Sequence, residues 1–148
     1  MVEIEISIVE KEISKMEKEI AQVLEFHQAF GLLVAERPTA DLPAGLAELR
    51  ARLLQEELDE YRQASAKGDL EAVADALSDL LYVLLGTYLT HGLQEVAGEL
   101  FAAVHRSNLS KLDPDGKPLR REDGKVLKSE RFSPPDLAPI LAKVMGES

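Results

Sequence analysis

An all-α fold, organised as a four-helix-bundle-like core, is what this sequence predicts, and three observations carry the prediction. Apolar residues recur at spacings of three and four through four long stretches, and Gly31, Gly68 and Gly92 punctuate them. Aromatic residues make up only 5% and Trp is absent, so the core must come from Leu, Ile, Val and Ala, side chains suited to helix packing. The 148 residues are read as one domain, 1–148, with a helical core over 9–112 and a basic, turn-rich segment over 113–148.

The first helix is expected from Val9 to Phe30, with Ile13, Met16, Ile20, Val23, Leu24, His27 and Phe30 inward and Gly31 as its stop. Ile4, Ile6 and Ile8 alternate with Glu and Ser and fit either a short extended piece or a helix start. Pro38, Thr39, Asp41 and Pro43 mark a connection, after which a second helix runs from about Pro43 to Lys67. Gly68 stops it and Asp69 is placed to cap a third helix, Leu70 to about Thr90, so the two helices must be antiparallel neighbours. The third carries an inward stripe of Val73, Leu77, Leu80 and Leu84, and LLYVLL suggests burial on more than one side. A fourth helix is expected from Leu93 to about Lys111, with Val96, Leu100 and Val104 inward. Asp115-Gly116 and Asp123-Gly124 are turn pairs; Leu119 to Leu127 suits a small hairpin, and a short helix follows from about Asp136 to Val144.

The second and third helices bear acids where apolar side chains are expected. Leu46, Leu49, Leu53, Leu54, Leu58 and Tyr61 define one broad face, and Glu57 and Glu60 project from its middle with Glu56 at its edge, while Asp59 points away. On the next helix Asp75 and Asp79 share a side with Tyr82. Carboxylates desolvated in this way cost several kcal/mol each unless compensated, and a cation is the compensation that converging acids suggest. With no Cys and no Glu-x-x-His pair, the ion indicated is Mg2+, with Mn2+ as the alternative, rather than zinc or a di-iron pair.

Charge is unevenly distributed. Residues 1–104 hold 8 Lys and Arg against 20 Asp and Glu, whereas residues 105–131 hold 8 against 5, within a chain of net charge −10. So acidic a body argues against general nucleic-acid binding, and a local basic segment suits a small anion that arrives with metal ions. In VHRSNLSKL, His105, Asn108 and Lys111 share one helical side, and Arg106 and Lys111 could hold phosphate oxygens or simply favour a helix C-terminus. His27 is open to two readings, a hydrogen-bonded core histidine or a ligand. Neither a glycine-rich phosphate loop, a Ser/His/Asp arrangement nor a dinucleotide fingerprint occurs. The absence of an 18-residue apolar run and of a basic-then-apolar N-terminus leads to the expectation of a cytoplasmic protein.

These residues resemble the all-α nucleoside triphosphate pyrophosphatases, which include MazG-like proteins, dimeric dUTPases and phosphoribosyl-ATP pyrophosphohydrolases. The motif is E-x-x-E followed on the next helix by E-x-x-D. Glu57-x-x-Glu60 fits its first half and Asp79 its last acid, through LLQEELDEY and VADALSDLLYVLLGT, and EFHQAFG and VHRSNLSKLDPDGKP are similar to the MazG-like branch. The resemblance spans Val23 to about Leu137 and departs at Ala76, where the family has an acid; Asp75 is expected to take over as the missing ligand or as a base acting through water. It implies a MazG-type fold whose core is completed by dimerisation. It also implies Mg-dependent cleavage between the α and β phosphates of nucleotides such as dUTP or other non-standard deoxynucleotides, a nucleotide-pool housecleaning activity. Glu56, Glu57, Glu60, Asp75 and Asp79 are the expected catalytic set, with Glu57, Glu60, Asp75 and Asp79 on metal and Glu56 orienting water. Arg106, Asn108, Lys111, His27 and Tyr82 are the expected substrate contacts, and a homodimer or dimer of dimers is the expected assembly. Two alternatives stand beside this: phosphoribosyl-ATP pyrophosphohydrolase, and a non-catalytic helical dimer that binds nucleotide or protein.

Overall fold

The computed structural model describes residues 2–146, with side chains described from Met16 onward, so Met1, Glu147, Ser148 and the Ile13 side chain lie outside the described residues. Five helices dominate: α1 Val2–Phe30, α2 Leu46–Lys67, α3 Leu70–Thr90, α4 Ala97–Leu109 and α5 Ala138–Met145, with β1 Leu119–Arg120 and β2 Val126–Leu127 between the last two. The fold is all-α. Its residues divide into two compact units, one ending at Glu95 and the other beginning at Val96.

In the first unit, α2 and α3 form an antiparallel pair with α1 against α3. The reversal between them is two residues long. Gly68 adopts φ 66°, which ends α2, and Asp69 Oδ1 accepts the Ala72 N–H at 3.1 Å, which starts α3. The expected start of α2 at Pro43 is corrected to Leu46, because Gly45 takes φ 81° and interrupts the helical path. α1 is longer than expected and absorbs the alternating Ile4-Ile6-Ile8 stretch. Residues 31–45 return along the end of α3, where the Ala35 N–H bonds Leu89 O at 3.1 Å and the Thr39 N–H bonds His91 O at 2.9 Å. Gly92 is required there, since a Cβ would strike the Arg37 carbonyl.

The inward stripe expected on α3 is only partly inward. Ala76, Leu85, Gly86, Leu89 and Thr90 are its buried residues, whereas Leu77 and Leu84 are 46% and 41% exposed, as is Leu81 at 51%. α3 is also long and apolar enough to cross a membrane by length and composition, with mean hydropathy 1.4, contrary to the expectation that no such stretch exists.

In the second unit, α4 starts four residues later than expected and turns Ala97, Leu100, Ala103 and Ser107 inward, leaving Val104 exposed. Leu119 pairs with Leu127 and Arg120 with Val126 in the expected hairpin. Ser107 and Ser129 hydroxyls tie the chain after it back to α4 and to the turn that follows α4, donating to Ser133 O at 2.7 Å and Leu112 O at 2.6 Å.

Candidate active site

Glu57 and Glu60 stand one turn apart on α2 and face Asp79 on α3, and one carboxylate oxygen of each lies within 4.8 Å of the others. The two-residue reversal at Gly68-Asp69 makes this possible, because it folds α3 directly back along α2. Glu57 is half-buried, Glu60 and Asp79 are exposed, and Glu57 Oε2 is a buried atom with no hydrogen-bond partner among the described residues. Burial pushes the Glu57 carboxyl above the usual range, and the charges of Glu60, Asp79 and Asp75 push it further. Among the described residues no Lys or Arg pairs with any of the three; the ion pairs found are Arg62–Asp59, Arg121–Asp123 and Lys143–Glu99.

Three hard oxygen donors, one of them orphaned, with no Cys in the chain, fit a divalent cation of the Mg2+ type. Glu57, Glu60 and Asp79 are the residues that could hold it.

The other expected site residues are placed differently. Glu56 is exposed and stands outside the converging group. Asp75 is also outside it; this side chain lines an open cavity of about 310 Å³ with Glu60, Gln63 and Lys67, and acts on Glu57 through its charge. Ala76, one position along, is buried. Tyr82 lines a cavity of about 270 Å³ with Gln22, Ser78 and Leu81, and its ring meets that of Phe26 edge-on at 5.5 Å between centroids.

His27, expected among the substrate contacts, is 2% exposed with Nδ1 3.3 Å from Leu33 O, the surroundings of the core histidine that the sequence also allowed. Arg106, Asn108 and Lys111 belong to the second unit. There Lys111 Nζ donates to Asn108 Oδ1 at 2.8 Å, and Arg106 lines a cavity of about 240 Å³ with Ser107, Ser110 and Asp136.

Sequence reasoning missed Arg50. It is 8% exposed, its Nε donates to Thr87 Oγ1 at 3.1 Å and its Nη2 to Val83 O at 2.7 Å, both on α3. The available signal was position: Arg50 lies four residues after Leu46 and four before Leu54, a charge set into an apolar stripe.

Residues 23–108, more than half of the chain, match the family model described as phosphoribosyl-ATP pyrophosphohydrolase. No curated protein matches the sequence. Among solved structures, a candidate NTP pyrophosphohydrolase from Exiguobacterium sp. 255-15 is 28% identical, over 86% of this chain and 96% of that one, with a TM-score of 0.47.

Proposed function

We propose that this chain, which belongs to the phosphoribosyl-ATP pyrophosphohydrolase family and is a pyrophosphohydrolase, hydrolyses the α–β phosphate bond of nucleoside triphosphates with Mg2+ at Glu57, Glu60 and Asp79. The observation that carries the reading is the convergence of three carboxylates around an orphaned Glu57 oxygen. The cation supplies charge neutralisation for the polyphosphate and makes water more acidic.

The chain's own residues do the rest. Glu57 and Glu60 are fixed relative to each other by one helical turn, so they present a preset pair of donors, and Asp79 closes the third side from α3. Glu56, exposed beside Glu57 and outside the donor group, is free to orient an attacking water by accepting its proton. Asp75 adds negative charge that strengthens cation retention. In the second unit, Lys111, which donates to Asn108, and Arg106 carry positive charge of the kind that suits phosphate oxygens. Tyr82, with Gln22 and Ser78 about its cavity, offers an aromatic face and hydrogen-bonding groups suited to a base.

The preferred substrates in this reading are dUTP or other non-standard deoxynucleotides, handled in the cytoplasm by a homodimer. The exposed Leu77, Leu81 and Leu84 on α3 support a dimer, since a second copy would remove them from water. A second reading, phosphoribosyl-ATP as substrate, is favoured by the family model matched over residues 23–108.

The test is a comparison of kcat/KM over canonical and non-standard nucleoside triphosphates and phosphoribosyl-ATP, each with Mg2+. A preference for dUTP or another deoxynucleotide supports the first reading and a preference for phosphoribosyl-ATP the second. No turnover of any of them overturns both.

A further inference from the structure

We infer that Arg50 is a positioning residue, a clamp that sets the register of α2 against α3 and so the convergence of Glu57, Glu60 and Asp79. The inference rests on the metal-site reading above. Among the described residues, the two bonds from Arg50 to Thr87 Oγ1 and Val83 O are the only side-chain hydrogen bonds between α2 and α3. The rest of the contact between the two helices carries no side-chain hydrogen bond among the described residues, and apolar packing, being non-directional, resists sliding only weakly.

The acids make that weakness matter. Glu57, Glu60, Asp75 and Asp79 carry one sign of charge on facing helices, and their repulsion opposes close approach. The oxygens of Glu57, Glu60 and Asp79 must nevertheless stay within 4.8 Å to share an ion. Slippage by one helical turn displaces a side chain by about 5.4 Å, more than that whole separation. The two-residue reversal at Gly68-Asp69 ties one end of the pair, and at the other end a directional tie comes from Arg50, on a matching face. It precedes Glu57 by seven residues, two turns on the same side of α2, while its acceptors at Val83 and Thr87 follow Asp79 by four and eight residues, one and two turns on α3.

The surroundings are built around this guanidinium. Thr87 Oγ1 donates to Val83 O at 2.8 Å, so both acceptors form one unit. Gly86 leaves a notch between them: a Cβ there would come within 2.7 Å of Arg50 Nη2 and 2.8 Å of His27 Nε2. Glycine inside a helix is unfavourable, and the notch gives its presence a reason. Arg50 has no carboxylate partner among the described residues, which separates it from an ordinary ion pair.

The experiment measures Mn2+ binding by the loss of the free-ion EPR signal, in the full chain, well below the melting temperature of each variant. Arg50→Met removes both bonds of the clamp and Thr87→Val the one to Oγ1, and Thr87→Val keeps the guanidinium in place should Arg50→Met not fold. Ile20→Ala on α1 is the control for a core defect that leaves the clamp alone. The expected result is an affinity loss of about tenfold or more in the clamp variants, of the size seen when groups supporting metal ligands are removed, with Ile20→Ala retaining wild-type affinity despite a lower melting temperature. Wild-type affinity in Thr87→Val or Arg50→Met overturns the inference alone, as does an equal loss in Ile20→Ala. A wild-type chain that binds no Mn2+ overturns the metal reading and this inference together.

Discussion

An oxygen of Glu57 on α2 lies within 4.8 Å of one on Asp79 of α3, the helix that follows a two-residue reversal, although both side chains carry the same charge. With the Glu57 carboxyl pushed up by burial and by its acidic neighbours, the metal-free site opposes folding. Glu57→Gln should therefore raise the melting temperature in EDTA while abolishing the rise that Mg2+ gives the wild type. Paired thermal scans with and without Mg2+ check both halves.

Asp79 belongs to the converging group and Asp75 does not. Asp79→Asn is expected to reduce kcat by about a hundredfold or more, and Asp75→Asn by about tenfold or less, the difference being roughly 1.4 kcal/mol or more of transition-state stabilisation. Steady-state assays on the two variants decide it; equal losses would return Asp75 to the ligand set.

His27 titrates below its ordinary value because burial disfavours its charged form, an effect the nearby Arg50 guanidinium reinforces against the opposing Leu33 carbonyl. The folded chain thus resists a proton that the unfolded chain accepts near pH 6.5. Its contribution to stability is complete above that value and is lost as pH falls below it towards the lowered folded value, at up to about 1.4 kcal/mol per pH unit. Denaturant titrations between pH 8 and 5 should show this loss in the wild type and a reduced one in His27→Gln.

Gly86→Ala tests the notch by stability. In an open helix this change gains about 1 kcal/mol. Here the new methyl meets Arg50 Nη2 and His27 Nε2, both short of contact distance, and a net loss of about 1–3 kcal/mol is expected from urea unfolding.

What the sequence revealed was what local spacing encodes. The end of α2 and the start of α3 were legible because Gly68 and Asp69 are stop and start signals in themselves, and Glu57 and Glu60 because one helical turn separates them. The start of α2 was not, since Pro43 is acceptable in a first turn and only the backbone shows Gly45 leaving the helical region. Nor was the buried face of α3, which is apolar on several sides: periodicity cannot tell which stripe meets α2 and which, with Leu77 and Leu84, stays exposed. Arg50 escaped notice because an arginine is ordinarily a surface residue, and its partners lie 33 and 37 positions away.

Analysis of the products of dUTP hydrolysis by 31P NMR, with Mg2+ present, tests the central claim most directly. Pyrophosphate and the monophosphate in equal amounts, from the wild type and not from Asp79→Asn, are the predicted result. Release of orthophosphate with the nucleoside diphosphate, or turnover by Asp79→Asn at the wild-type rate, would contradict it.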